Sequence, residues 1–480
     1  MQRITETRKN IMKIKIANLG LIDEAEIHVK DLTIVCGENN TGKTYVTYAL
    51  YGFLKLWRRL AERTIQKALF ANKRGNDTYQ FDLSEIFDGK INHFFSEMSE
   101  GYKQFLPNVF ATNKSNFEKS VFEISFDDEI PFLDAEYSNS ISEGSAGKVI
   151  ATIKKEKGSS VVNVLFSADS EIANKRRLDS VIIDFVTDAA CDIVFSNYMP
   201  SVFIASAERT GAAIFRKELD FARARMIEAL SSLSDKEIKN PLKLIQSMNV
   251  GYSLPIQNNV DFVRQIETLD SSVSPLSESF PELLDSFDDI IGGKYKVIKN
   301  SLYYIPKGSQ KTRFSMAESS SCVRALLDIS FYIKSTASIG DFLIIDEPEL
   351  NLHPNNQRLF ARFICQLVNC GVKVFVTTHS DYLVKEINSL IMLSASNEDV
   401  RKSIVDKYGY KNSQLIKSDK INLVMTKTLP GRKKLKTLVP AKIHKSLGIE
   451  VGTFDHAINE MNEIQSEIMC SADIDSDFFS

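Results

Sequence analysis

The sequence predicts an α/β protein: an open sheet of mainly parallel strands flanked by helices and interrupted by inserted helical and β subdomains. Three observations predict it. An apolar run, Leu32 to Cys36, opens into the glycine-containing loop Gly37 to Thr44 and then into an amphipathic helical stretch. A second apolar run, Phe342 to Ile345, ends in Asp346-Glu347-Pro348, and a third, Val372 to Val376, ends in Thr377-Thr378-His379-Ser380. Short apolar runs of this kind suit strands buried on both faces, and their polar ends fall at the carboxyl edge, where open α/β sheets bind ligands.

Upstream of the loop, alternating runs around Ile14–Ile16 and Ala25–Val29 predict two paired strands. The loop itself, GENNTGKT, fits G-x-x-x-x-G-K-[ST] at every fixed position and stands between strand and helix as that motif requires. Its glycines let backbone N–H groups turn inward around a β-phosphate, and the following helix adds a favourable dipole. Lys43 is expected to neutralise β- and γ-phosphates, and the Thr44 hydroxyl to ligate Mg²⁺. Val46, Ala49, Leu50, Phe53, Leu54 and Trp57 recur at helical spacing, giving the next helix one apolar face.

The acidic strand supplies the complementary chemistry. Asp346 is placed to hold the metal, directly or through water, and Glu347 to polarise the attacking water as general base. His379 follows by about thirty residues, the length of one crossover helix and strand, so it is expected at the same sheet edge, near the γ-phosphate or the water.

Composition narrows the setting. Of 480 residues, 43% are hydrophobic and 25% charged, which predicts an ordinary folded chain. A net charge of −3 gives no broadly basic surface, so any contact with DNA has to be local. No run approaches the roughly 20 apolar residues that span a bilayer, and the N-terminus shows no secretory apolar core. A cytoplasmic protein without a membrane partner is expected. Of six cysteines only Cys365 and Cys370 lie close together, and they read as buried or incidental thiols rather than zinc ligands.

Together GENNTGKT, IIDEPELNLHP and VFVTTHS resemble the ATPase domain of the OLD-like, RecF-like branch of the ABC-type AAA ATPases, which also includes the SMC proteins. The resemblance covers about the first 55 residues and about Lys311 to Leu390. It implies an ABC-type P-loop ATPase head that takes ATP and Mg²⁺, with Gly37, Asn39, Asn40, Thr41, Gly42, Lys43, Thr44 and Tyr45 against the nucleotide. Thr44 and Asp346 are the implied metal ligands, and Glu347 and His379 the implied catalytic pair. It also implies a homodimer, or a higher homo-oligomer, closed around ATP. In that arrangement a serine-rich signature of one head touches the γ-phosphate held by the other. The matching segment is Met316 to Ser321, with Ser319, Ser320 and Ser321 as the contacting residues, ahead of the helical stretch Val323 to Ile333. Serines there also make ordinary helix N-caps. The segment has no glycine pair of the transporter type, and Glu349 to Asn351 matches the loop that passes between the two sites.

Lys43 and Asp346 stand about 300 residues apart, so the chain between them has to build additional structure. The expected division is the core with the phosphate loop (1–60), a mixed α/β insertion (61–200) and a return to the core (201–216). A helical insertion (217–294), the core with signature, acidic strand and switch (295–396), and a C-terminal extension (397–480) follow. Leu60 to Glu100 reads as helical, while VFEISF, KVIATI and VVNVLF read as strands of the first insertion. Ser201 to Ala205 reads as a strand entering Ala207-Glu208-Arg209-Thr210-Gly211, where Arg209 either approaches phosphate or makes a structural salt bridge. Glu218 to Met248 and Asn258 to Ile291 read as helices without a sustained heptad, which argues against a long coiled-coil arm. Tyr295 to Ile305 reads as a hairpin.

Beyond His379 the OLD-type nucleases carry a metal-dependent nuclease domain built on acidic residues at strand ends, and no such pattern is found here. Asp473-Ile474-Asp475-Ser476-Asp477 reads as a solvated tail, the run Arg432-Lys433-Lys434 with Lys436 as a solvated face or a phosphate-backbone contact, and Ala457 to Met469 as a helix for a partner or dimer. The resemblance then extends to ATPase subunits of bacterial anti-phage systems such as Septu and PARIS, which act with a separate nuclease effector. The alternative is a RecF- or SMC-like repair ATPase that clamps DNA directly.

Overall fold

The computed structural model describes residues 11–71, 80–143, 148–166, 175–214, 252–309, 311–430, 434–450 and parts of 460–466. Glu218 to Met248, Arg432-Lys433, Asp473 to Asp477 and most of Ala457 to Met469 lie outside the described residues.

Strands β1 (Met12–Leu19) and β2 (Ile22–Val29) form an antiparallel pair in which alternate residues are buried. The tight turn between them uses Gly20 at a φ of 59°, and a Cβ there would sit 2.4 Å from the ring of Tyr45. That close approach seats the hairpin tip on the start of the phosphate-loop helix. β3 (Leu32–Cys36) is buried at every position and leads through the loop into α1 (Lys43–Ala71). The stretch read as helical up to Glu100 is less continuous than expected: after α1 come the short strand β4 (Gln80–Asp82), a five-residue helix Leu83–Phe87 and α2 (Ile91–Tyr102).

Next is β5 (Val121–Phe126), the VFEISF run, which pairs with β1 rather than with the other strand-like runs. Those runs, β7 (Lys148–Lys155) and β8 (Val161–Phe166), join β4 and β6 (Tyr137–Glu143) in a separate antiparallel sheet ordered β4-β8-β7-β6. α3 (Lys175–Ala190) then leads to β9 (Val202–Ala205), which returns the chain to the core.

Helices α4 (Leu254–Arg264) and α5 (Glu282–Ile291) precede the hairpin β10 (Gly293–Ile298) and β11 (Ser301–Pro306), to which the two-residue strand β12 (Phe314–Ser315) adds. The stretch expected as one helix over Val323 to Ile333 breaks at Leu326 into α6 (Ser321–Ala325) and α7 (Leu327–Ser335). β13 (Phe342–Asp346), α8 (Pro354–Asn369), β14 (Lys373–Thr378) and α9 (Asp381–Ala395) complete the motif-bearing part. Beyond them β15 (Ile421–Leu429) and β16 (Leu435–Pro440) form a hairpin.

The central sheet runs β16-β15-β3-β14-β13-β9, and every neighbouring pair except β15–β16 is parallel. Its alternating side chains feed two cores. Val35, Ile344, Phe375 and Val424 face the layer of α1, α3 and the β1-β2-β5 sheet. Ile34, Leu343, Ile345, Val374, Val376 and Leu423 face the layer of α7, α8 and α9. Burial on both faces is why these strands read as unbroken apolar runs. Among the described residues no helix is long and apolar enough to cross a membrane.

One close contact sets the first layer's tolerance. Gly52 on α1 faces α2, and a Cβ there would lie 2.3 Å from Tyr102 Oη and 2.7 Å from Val109. Gly52→Ala is expected to cost about 1–3 kcal/mol, as overpacking of a dense core does, measured by urea unfolding. Adding Val109→Ala should return part of that loss; an unchanged midpoint in the single variant would mean that the layer yields freely.

Candidate nucleotide site

Parallel pairing brings three strand ends to one edge. Asp346 stands opposite Thr377, Thr378 opposite Cys36, and Ile345 opposite Ala205. The residues that follow each strand, Gly37, Glu347, His379 and Ser206, therefore surround one place.

The phosphate loop closes there by left-handed backbone: Asn40 has a φ of 59° and Gly42 of 98°. A Cβ on Gly42 would meet Ile22 at 3.0 Å, and one on Gly37 would meet the Thr426 hydroxyl at 1.8 Å. Gly37 is thus required by space, because β15 lies directly behind it, and Gly42 by its backbone conformation. Thr41 Oγ1 donates to Glu38 O at 2.8 Å, bracing the turn. Lys43 is 4% exposed, and its ammonium donates to Gly37 O at 2.9 Å and Glu38 O at 2.7 Å. The charge is held against the loop's inner rim, where an anion entering the loop would meet it. Tyr45 stacks on Phe110 at 4.9 Å, which fixes the ring beside the loop.

Asp346 is fully buried at the end of β13. Thr377 Oγ1 donates to its Oδ1, while its Oδ2 has no protein partner. Burial pushes the Asp346 carboxyl up to about 6; the Thr377 hydroxyl opposes the rise and the charge of Glu347 adds to it. A buried carboxylate oxygen left without a donor is costly unless something outside the chain takes it. Asp346 with the exposed Thr44 hydroxyl thus fits an Mg²⁺ that keeps waters and phosphate oxygens as its other ligands. When bound, that ion supplies neutralisation of phosphate charge.

Glu347 adopts a φ of 50°, in the left-handed region. Its N–H donates to Thr377 O at 3.1 Å and its carbonyl accepts from Arg209 at 2.9 Å. The turn directs its carboxylate into the cleft, where His379 Nδ1 lies 3.8 Å away. Glu349, its side chain 4% exposed, accepts from the His379 backbone N–H at 2.6 Å, and its Oε1 is 3.0 Å from His379 Nδ1. With Nδ1 on the side of this carboxylate, Nε2 is the ring nitrogen left for a ligand.

One cleft of about 580 Å³ collects most of the expected residues: Asn39, Asn40, Thr41, Gly42, Lys43, Thr44, Tyr45, Glu347 and His379, joined by Leu21 and Leu350. Gly37 and Asp346 adjoin it in the chain, at the ends of β3 and β13, without lining it. Ser319, Ser320 and Ser321 are not in its lining. Ser319 Oγ donates to Ser315 O at 2.7 Å, and Ser320 is exposed and caps α6 by accepting from Val323 N–H at 3.3 Å. The N-cap reading is realised for Ser320, on a segment that does not line its own cleft. Arg209 does not reach a phosphate position. It is buried, and Nε, Nη1 and Nη2 donate to backbone carbonyls rather than to a carboxylate.

Sequence reading missed Thr377, Thr426 and the Glu349–His379 contact. Thr377 had a signal, since it immediately precedes the switch residues. In the sequence Glu349 carries only the signal of a loop residue. Thr426 had none, because its role depends on β15 pairing beside β3.

A buried acid beside a lysine-bearing phosphate loop, with a carboxylate and an oriented histidine across the cleft, defines a P-loop NTPase. The chain belongs to the AAA ATPase domain family, which matches residues 10–384. It is an ATPase. Among solved structures it is similar to the SMC head domain from Thermotoga maritima, at 11% identity over 90% of this chain and 99% of that one, with a TM-score of 0.29. It is also similar to an Smc head bound to the C-terminal winged-helix domain of ScpA, at 12% identity over 91% and 98%, TM-score 0.33. A third is an Smc head with an extended coiled coil bound to the C-terminal domain of ScpA derived from Pyrococcus furiosus, at 12% over 95% and 99%, TM-score 0.31. No curated protein matches the chain.

Glu347→Gln is expected to lower kcat by at least about 100-fold, the range of a lost general base, while nucleotide affinity changes little. Phosphate release and a fluorescent-nucleotide titration check it, and loss of binding as well would make the carboxylate a structural part of the site. Glu349→Ala should lower kcat by roughly 10–100-fold, as loss of an orienting carboxylate does at comparable histidines. His379→Ala combined with it should be no worse than His379→Ala alone; multiplying effects would place Glu349 in a separate role.

Proposed function

We propose that this chain is a nucleotide-gated dimeric ATPase, the sensor or regulatory subunit of a bacterial anti-phage defence system that controls a separate nuclease effector. The supporting observation is that Ser319 to Ser321 lie outside the cleft that holds the loop, Glu347 and His379, with Ser320 exposed. A serine segment placed this way serves the nucleotide of a second copy, so the site is completed by association. ATP bound with Mg²⁺ on Thr44 and Asp346 is then the ligand that joins two heads, and Glu347 with His379 ends the joined state by hydrolysis.

A separate effector is supported by what the described residues after His379 build. β15 and β16 extend the central sheet beside β3, and α9 packs into the core beneath it. These elements finish the ATPase body and offer no second set of acids at strand ends. Regulation in the cytoplasm through a partner nuclease accounts for that use of the chain.

A second reading, direct clamping of DNA, is favoured by the exposed Lys427, Lys434 and Lys436 on the β15–β16 hairpin. Multi-angle light scattering on the Glu347→Gln protein tests both. ATP should double its mass without DNA, and Ser320→Ala should weaken that association. If the mass stays that of one chain at saturating ATP, the gated dimer is wrong. Stable capture of duplex DNA in the ATP state, weakening steeply with salt, would put the clamp ahead of the effector reading.

A further inference from the structure

Arg209 is among the largest fully buried side chains of the described residues, at 1% exposure. Burying a guanidinium is expensive unless its donors are satisfied, and here its satisfaction is distributed. Nε donates to Ala325 O at 2.7 Å, Nη1 to Ser206 O at 2.9 Å and to Asp346 O at 2.7 Å, and Nη2 to Glu347 O at 2.9 Å. The four acceptors belong to three segments: the loop after β9, the last residue of α6, and the turn that leaves β13.

Each of those ends matters to the site. Glu347 holds a left-handed backbone, a conformation that costs a residue with a Cβ on the order of 1 kcal/mol. Its N–H is tied to β14 through Thr377 O, and its carbonyl is tied to Arg209. Ala325 closes the helix whose N-cap is Ser320, in the serine segment. The loop that carries Arg209 is itself fixed, because Ser206 N–H donates to the buried Asn259 Oδ1 at 2.7 Å. One planar fork therefore joins the serine helix to the backbone of the general base, a geometry that a lysine ammonium cannot span.

We propose that Arg209 is a positioning residue that couples the serine segment to the catalytic turn, so that Glu347 is set for hydrolysis when Ser319 to Ser321 engage the nucleotide of a second copy. This rests on the dimeric reading above. Arg209 touches no nucleotide. Its part is to transmit a displacement of α6, over less than the length of its own side chain, to the peptide groups on both sides of the Asp346–Glu347 bond.

The test compares Arg209→Lys, Ser320→Ala and the double variant, reading ATP affinity and kcat separately, with Glu347→Gln providing the association assay. Arg209→Lys should leave ATP affinity within about threefold and lower kcat about 100-fold, the cost of misplacing a catalytic group by roughly 1 Å. In that background Ser320→Ala should have almost no further effect on kcat. A kcat within threefold of wild type, or effects of the two substitutions that multiply, would overturn the coupling. Should Arg209→Lys fail to fold, amide hydrogen exchange in Glu347→Gln protein decides: ATP should slow exchange across residues 345–349 and Ser320→Ala should abolish that slowing. Slowing that survives Ser320→Ala overturns it. If Glu347→Gln protein does not associate with ATP at all, the dimeric reading fails and the coupling with it. If it associates but exchange or kcat behaves as just described against the coupling, the coupling alone fails.

Discussion

Parallel pairing of β3, β14 and β13 is the constraint on which the site depends, because it aligns the ends of strands that are far apart in the chain. The register Thr378 to Cys36 and Asp346 to Thr377 leaves no freedom in where the next residues emerge. Gly37, Glu347 and His379 are each one step beyond a fully buried strand residue, and a slip of one position would turn Asp346 from the edge into a core. The two hydrophobic layers exist to hold that register from both faces. Their alternation along each strand, Leu343 and Ile345 to one side and Phe342 and Ile344 to the other, makes any slip costly for every side chain at once.

At the edge itself the packing gives way to unsatisfied polarity. Asp346 Oδ2, Glu349 Oε2 and Ser206 Oγ are buried atoms without a protein partner at or just past the carboxyl ends of β13 and β9, and Thr426 Oγ1, within β15 behind Gly37, is another. A folded core rarely leaves such atoms idle. The same polarity lifts the Asp346 carboxyl, since burial penalises its charge before any cation arrives to reward it.

What was legible in the sequence was what is local. A phosphate loop has its strand, glycines, lysine and helix within about fifteen residues, and the acidic strand announces itself by an apolar run that stops at two carboxylates and a proline. The hairpins were legible for the same reason, by alternation over a few residues. The pairing of VFEISF with β1 was not, because alternation predicts a strand and says nothing of its neighbour about 105 residues earlier. Arg209 was read as a phosphate contact or a salt bridge because an arginine near a site usually meets an anion; that it would take four carbonyls, two of them nearly 140 residues away, is a property of the assembled fold. Glu349 looked like a loop residue until β14 delivered His379 beside it.

Thr426 stands behind Gly37 so closely that the loop has no room for any side chain there, and β15, which carries it, is one of only two strands that flank β3. The other, β14, comes from residues 373–378. The order of synthesis therefore runs against the order of the motifs. A ribosome that has emitted the phosphate loop must release nearly four hundred further residues before that loop gains its back wall, so a nascent chain cannot hold a finished nucleotide pocket until almost all of the sequence described here has left the exit tunnel.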